Sequence, residues 1–268
     1  MKTLTSAELD QICWQHLSGL PYFRGMLRAV EHSFYARLEL AEPILDVGAG
    51  DGHFASVLFK GQTCVGIDPW WQPLQEASSR QTYSILVQAD GDAIPYPDAN
   101  FLCAISNSVL EHISEVQPVL NEVGRVVKPG GLFIFAVPNQ RFKTDLWGIG
   151  VLKGLGLNIL ATKYSRFFNR IARHKNLDEP KIWLERLGQA GFGEVEYWNY
   201  FPKWALHMLE RGHLWGLPNL LWKKTLGKWI LFPSRTNPFL HYKKIRQLMD
   251  DSVCKDGTCT FFIARRDS

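Results

Sequence analysis

ILDVGAGDGHFA, residues 44–55, decides the fold. Ile44, Leu45 and Val47 make a short apolar run interrupted only by Asp46. Gly48, Gly50 and Gly52 follow at every second position, and HFASVLFK then reads as a helix. A buried strand running into a glycine turn and a helix is the opening of a βαβ unit. Glycines there permit tight turning and let the backbone come close to a ligand. The helix start at Gly52 offers unpaired amide N–H groups to an anionic group such as a carboxylate.

The same grammar repeats outward from this stretch. Apolar runs occur at 43–48, 63–68, 83–90, 101–106 and 131–138, separated by PLQEASSR, EVQPVLNEVGRVV and similar helical stretches. Strands that are apolar throughout belong in a parallel sheet covered by helices on both faces. EVEYWNY (194–200) and CTFFIARR (259–266) read as two more strands, and 180–190 as a helix closed by Gly191. Pro129-Gly130-Gly131 is expected to end the helix before the fifth strand. Helices are expected over 6–17, with Ser6 as N-cap, and over 22–39. The architecture predicted is a doubly wound α/β fold, with a seven-stranded, mostly parallel sheet, N-terminal helices over 1–41 and a core over 42–200 and 251–268. Two insertions, 139–177 and 201–250, are expected as helical lids.

Two cofactor classes compete for the glycine turn. A dinucleotide fold asks for a third glycine three residues after the second, and His53 stands there instead. The pattern is D-x-G-x-G-x-G, and an acid at the end of the first strand suits a ligand bearing an amino group better than one bearing a pyrophosphate. Asp68 ends the second strand, eighteen residues beyond Gly50, where a carboxylate can accept both hydroxyls of a ribose. Capping of the following helix is the blander role for it. Asp90-Gly91 ends the third strand, where the carboxylate can accept from an adenine amino group and the Gly91 N–H can donate to the ring; an Asx turn is the alternative.

ILDVGAGDGHFA, GIDPW (66–70), ADGDAIPYPDANF (89–101), ISNSVLEHI (105–113) and VGRVVKPGGLFIFAVPN (123–139) together resemble the class I S-adenosylmethionine-dependent methyltransferases. The likeness is greatest to the small-molecule branch that includes the ubiquinone-biosynthesis type. It covers 42–138 well, and 178–200 with 259–266 more loosely. The resemblance implies a Rossmann-like fold and S-adenosylmethionine as cofactor, leaving as S-adenosylhomocysteine. It implies a cofactor-binding set of Asp46, Gly48, Ala49, Gly50, Asp68, Pro69, Asp90, Gly91 and Asn107. Asp46 would contact the methionine amino end, Gly48 and Gly50 the cofactor backbone, Asp68 the ribose, Asp90 and Gly91 the adenine, and Asn107 the methionine part and the transferable methyl. Leu102 departs from the family, which usually carries Asp after the Phe. Glu111 and His112 are the candidates for a general base, against a purely structural role in a helix. No metal ligand set is expected.

The net charge of +4 is unevenly distributed. Residues 141–175 carry net +7 and residues 203–246 net +8, so the rest of the chain is acidic. Residues 161–174 fit a basic amphipathic helix with Tyr164, Phe167, Phe168 and Ile171 on one face. Trp204, Trp215, Trp222 and Trp229 stand among Lys223, Lys224 and Lys228. Trp beside Lys and Arg is the composition of an interfacial segment, so peripheral membrane contact is one expectation and a lid over a small or lipid-like acceptor is the other. No nucleic-acid-binding module accompanies the charge. Five cysteines without C-x-x-C spacing read as thiols rather than a disulfide framework or zinc site. The first residues hold acids and no long apolar core, so a cytoplasmic enzyme is expected. The other functional readings are a cofactor-binding protein without methyl transfer that acts through a partner, and a methyltransferase for RNA or protein.

Overall fold

The computed structural model describes residues 2–59, 61–215 and 217–268, with backbone alone for 214, 215 and 217–220. In chain order it runs α1 (Ser6–Gly19), α2 (Tyr22–Tyr35), β1 (Ile44–Val47), α3 (His53–Leu58), β2 (Cys64–Asp68), α4 (Trp71–Ser79) and β3 (Ile85–Gln88). Then come β4 (Phe101–Asn107), a 3-10 turn (Leu110–His112), α5 (Val116–Val126), β5 (Val127–Pro138), α6 (Gln140–Thr144), α7 (Trp147–Gly154) and α8 (Asn158–Ile171). The chain continues through α9 (Pro180–Gln189), β6 (Phe192–Tyr200), α10 (Lys203–Trp215), α11 (Leu217–Leu226), α12 (Tyr242–Asp250) and β7 (Cys259–Arg266). The chain folds into two compact units.

The first unit, Leu40–Arg141 with Asn169–Trp198 and Cys259–Ser268, is built on a seven-stranded sheet of order β3-β2-β1-β4-β5-β7-β6. β1 pairs in parallel with β2 and β4, β2 with β3, and β4 with β5, while β7 runs antiparallel to β5. This is the doubly wound, Rossmann-like arrangement that the alternation of runs predicts. Chain order reverses between β1 and β4, and crevices for ligands open there beyond the carboxyl ends of the strands.

The central strands β1 and β2 hold because they are covered on both faces and apolar apart from Asp46 and Asp68. Every residue of β1 and β2 is buried. α5 places Val116, Val119, Leu120, Val123 and Val126 at helical spacing onto Leu45, Val47, Val65 and Ile67. Each such side chain contributes about 1.5–3 kcal/mol when fully buried. Trp183 of α9 completes this face against Phe135 and Phe262.

The second unit comprises Met1–Glu39, Phe142–Phe168 and Asn199–Thr258, and is helical. Its buried carboxylate Glu210, on α10, accepts from the amides of Trp147 and Gly148 at the start of α7 and from the Tyr164 hydroxyl on α8. Negative charge at a helix N-terminus is favoured by the unpaired amides and the helix dipole. Burial first, and the Glu210 contact next, push the Tyr164 phenol well above its usual range. The basic segment 203–246 spends part of its charge internally. Lys223 lies over Trp229, Lys244 over Trp204, and Arg235 over Trp14 and Tyr242, at 5.2–5.9 Å from the ring centres. The side chain of Trp215 lies outside the described residues.

Several local expectations are corrected. Thr5, not Ser6, is the N-cap of α1: its hydroxyl accepts from the Glu8 amide while the Glu8 carboxylate accepts from the Thr5 amide. α2 ends at Tyr35 rather than 39. α5 ends at Val126, and Pro129-Gly130-Gly131 lie inside β5 where its register against β4 shifts, rather than closing the helix. The predicted apolar face of 161–174 divides: Phe168 is buried, whereas Phe167 and Ile171 are exposed. All five cysteines are thiols. Among the described residues no helix is long and apolar enough to cross a membrane.

Replacing Glu210 by Ala strips the acceptor from three donors at once. The variant should lose about 1–3 kcal/mol of stability in urea unfolding, and an unchanged midpoint would show that this carboxylate does not anchor α7.

Candidate functional site

The site assembles at the carboxyl edge of the parallel strands, where β1, β2, β3 and β4 release their chains into loops. β1 delivers the glycine turn. The amides of Gly48 and Ala49 both donate to the Ile67 carbonyl at 2.9 Å, which folds the turn across the end of β2. Gly48 has φ +84° and Gly50 φ +53°, left-handed values that side chains with a Cβ resist. A methyl on Gly48 would come within 2.5 Å of Val109 Cγ1, so the loop after β4 closes one side of the turn. A methyl on Gly50 would meet nothing closer than the Gly48 carbonyl oxygen at 4.0 Å. One wall of the turn is packed and the other opens onto free space.

Asp68 joins this turn directly. The Gly50 amide donates to its Oδ2 at 2.9 Å, and the Trp70 amide to its Oδ1 at 2.9 Å. The second bond closes a short turn onto Trp70, the residue before α4, and no side chain caps that helix, so the expected capping role of Asp68 is corrected to a turn two residues short of it. A carboxylate has about four lone-pair positions, so each oxygen keeps capacity for a further donor such as a hydroxyl. Asp68 is 7% exposed, and Pro69 and Trp70 beside it lie in the open. The Asp68 carbonyl in turn accepts from the Ala89 amide, and Gln88 Nε2 donates to the Pro69 carbonyl at 3.0 Å. These bonds bring the end of β3 alongside the end of β2. Asp90 is exposed there, and its carbonyl accepts from the Ala93 amide. Gly91 packs its backbone toward Val119 and Val47.

Asp46 is 5% exposed and accepts a 2.6 Å hydrogen bond from the Tyr83 hydroxyl. Tyr83 reaches it along the face left open by Gly66, where a Cβ would collide with the ring at 2.8 Å; a Cβ on Gly52 would crowd the ring at 3.3 Å and collide with Ala77. Burial, and after it the Asp46 carboxylate, keep the Tyr83 phenol protonated well above its ordinary range. Tyr83 therefore serves as a fixed donor to Asp46. Nothing in the sequence marks it, because its partner lies thirty-seven positions away and meets it only across two strands.

At the end of β4, Asn107 is buried, and Ser106 Oγ donates to the Val47 carbonyl at 2.9 Å, locking the ends of β4 and β1 together. Ser108 then takes φ +54°. Glu111 is buried in the 3-10 turn, while the His112 side chain is 41% exposed. Glu111 Oε1 lies 3.8 Å from His112 Nε2, and His112 Nδ1 lies 3.2 Å from the Arg173 carbonyl. His174 stacks on the His112 ring at 5.7 Å. Asn176, also unmarked by the sequence, donates from Nδ2 to the Ile113 carbonyl at 2.6 Å and pins this turn from below. The turn-forming residues and Asp68 are thus linked by hydrogen bonds, Asp90 and Gly91 follow just beyond the end of β3, Asn107 ends β4, and Glu111 and His112 stand on the 3-10 turn after it.

The donor set fits a nucleoside carrying both hydroxyls and an amino group. Asp68 offers carboxylate lone pairs beside the open space over Gly50, and Asp90 offers a second carboxylate one strand further out.

Comparison with known proteins identifies the family. A family model described as a methyltransferase domain matches residues 45–135. An uncharacterized methyltransferase of Mycobacterium sp. (strain JLS) is 32% identical over 170 residues, 60% of this chain and 67% of that protein. A fatty-acid O-methyltransferase of Mycolicibacterium smegmatis is 30% identical over 166 residues, 59% of this chain and 60% of that protein. Among solved structures, a phosphoethanolamine N-methyltransferase of Haemonchus contortus bound to S-adenosylhomocysteine shares the fold at a TM-score of 0.54 and 15% identity, covering 88% of this chain and 51% of that one.

Substituting Gly48 by Ala should be costly twice, through its positive φ and through Val109. An expected loss of about 1–3 kcal/mol, read by thermal unfolding, would be contradicted by a variant as stable as the parent. Tyr83→Phe should lose about 1 kcal/mol by the same assay, and no loss would remove Tyr83 from the support of Asp46.

Proposed function

We propose, on the premise that this chain belongs to the class I S-adenosylmethionine-dependent methyltransferases, that it moves a methyl group onto an ionisable atom of a small, amphiphilic acceptor. The observation supporting this reading is the bond from the Gly50 amide to Asp68, which holds a carboxylate against an open glycine turn where it would accept from a ribose. Of the branches of the family, we favour the small-molecule branch that includes the ubiquinone-biosynthesis type. The likeness to a fatty-acid O-methyltransferase supports an acceptor with an apolar tail.

When bound, the cofactor supplies a methyl already activated on a sulfonium. The protein's own task is alignment, an effect worth about 7–11 kcal/mol when two reactants are held in line. Asp68 takes the ribose hydroxyls, and the charge of the carboxylate strengthens those bonds. Asp90 and the Gly91 amide hold the adenine edge, and Gly48, Ala49 and Gly50 let the backbone lie against the cofactor. Asp46, fixed by Tyr83, and Asn107 face the amino-acid end. Pro69 directs the chain away from the ribose. His112 is the proton acceptor where the acceptor presents a hydroxyl; a carboxyl acceptor already reacts as its carboxylate and needs no base. A proton on Nδ1, donated to the Arg173 carbonyl, assigns proton acceptance to Nε2, and the Glu111 carboxylate 3.8 Å away steadies the imidazolium once formed.

Calorimetric titration with S-adenosylhomocysteine tests the cofactor assignment. The parent should bind, and Asp68→Ala should weaken binding on the order of 100-fold; well-folded parent that fails to bind, or a variant of unchanged affinity, would defeat it. In turnover with a hydroxyl-bearing lipid, His112→Ala should lower kcat by about 100-fold or more and leave cofactor affinity alone. Equal kcat would take His112 out of the proton transfer.

A further inference from the structure

We propose that the tip of the α7–α8 hairpin docks on the surface of an anionic lipid bilayer, with its apolar side chains entering the interface and its cations at the headgroups.

Residues 153–160, KGLGLNIL, are exposed without interruption. Leu155 is 68% exposed, Ile159 75%, and Leu157 and Leu160 over two-fifths each. Trp147, Val151 and Phe167 add to the apolar surface of the same hairpin. A scattered exposed leucine is ordinary, but a contiguous apolar surface of this kind marks an interaction site. Four large aliphatic side chains within six residues, presented at a turn, have nothing to gain from water.

The backbone of the tip is prepared for an apolar surrounding. α7 ends in a Schellman motif: the Gly156 amide donates to the Lys153 carbonyl, and the Leu157 amide to the Leu152 carbonyl at 2.9 Å. Gly156 takes φ +74°, the left-handed conformation that this cap requires. The Leu155 amide donates to Val151, and the Ala161 amide to Leu157. The groups bonded in this cap need no water when the tip is buried, which lowers the cost of bringing the end of α7 toward lipid.

Charge selects the occupant. Lys153, Lys163 and Arg166 are exposed, and among the described residues none supplies a carboxylate to any of them. This sets them apart from Lys223, Lys244 and Arg235, which lie over aromatic rings. At 1.5 Å per residue, Lys163 and Arg166 stand about 6 and 10 Å along α8 from Ile159. An interfacial helix buries its apolar side about 5–10 Å into the headgroup and acyl boundary. The cations would then meet lipid phosphates as the leucines and Ile159 reach the acyl region. A protein partner would need acidic groups around an apolar pocket, whereas an anionic bilayer offers both everywhere. The anchor at the other end of the hairpin is Glu210, which bonds α7 and α8 at Trp147, Gly148 and Tyr164 and leaves the tip clear of that contact.

Flotation of the full chain with vesicles tests the proposal, and the readout does not depend on methyl transfer. Vesicles of phosphatidylcholine alone are compared with vesicles containing about 30% phosphatidylglycerol. The protein should float with the anionic vesicles and not with the neutral ones. The double variant Leu157→Asp, Ile159→Asp should lose binding by about 10-fold or more. The triple variant Lys153→Gln, Lys163→Gln, Arg166→Gln should lose it on the order of 100-fold, since each cation near such a surface is worth about fivefold. Both variants alter exposed side chains, so circular dichroism and S-adenosylhomocysteine affinity should match the parent. No flotation, equal flotation on neutral vesicles, or undiminished binding by the double variant would overturn the proposal. So would sedimentation showing a dimer that the double variant dissociates, with no vesicle binding by the parent, which would assign the tip to a second copy of the chain.

Discussion

The hydrogen bond from the Gly50 amide to the Asp68 carboxylate is the constraint on which the rest of the sheet unit's chemistry depends. It ties the first loop to the end of the second strand, and it can form only because β1 and β2 are neighbours in parallel register, Val47 opposite Ile67. The Ile67 carbonyl, taking the Gly48 and Ala49 amides, completes the knot. A carboxylate that is 7% exposed would be costly if left without donors. The turn satisfies it with backbone groups, leaving its remaining lone pairs to a ligand. The glycines follow from the geometry: Gly48 and Gly50 hold left-handed φ, and Val109 leaves no room for a side chain at the first.

Alternation along β1 supplies the second half of the arrangement. Leu45 and Val47 point into the core beneath α5. Asp46, between them, points to the opposite face, where a polar residue would be out of place without Tyr83. The Tyr83 hydroxyl is one partner of Asp46 there, and the absence of a side chain at Gly66 lets its ring pass. The same β1–β4 neighbourhood brings Asn107 and the turn carrying Glu111 and His112 to the same carboxyl edge, so topology rather than sequence proximity gathers the site.

Much of the sheet unit was legible in the residues because each layer of signal agreed: uninterrupted apolar runs, helical spacing in α5, and acids at strand ends. What escaped depended on contacts remote in sequence or on competition between equally good local signals. Thr5 and Ser6 are both competent caps, and the reciprocal bond to Glu8 chose Thr5. Pro129-Gly130-Gly131 looked like a helix stop, yet α5 had already ended and the extra residues were absorbed as a register shift against β4. Spacing alone put Phe167 and Phe168 on one face; packing buried only Phe168, against Tyr164 and Phe142. Tyr83 and Asn176 gave no local signal, since their partners are carboxylate and carbonyl oxygens on other elements.

A crystal structure of the complex with S-adenosylhomocysteine tests the central claim most directly. The account predicts the ribose hydroxyls on the Asp68 carboxylate, with the Gly50 amide still bonded to it and the nucleoside over the open side of the glycine turn. A nucleoside bound elsewhere, or an Asp68 that turns away from it, would contradict the account.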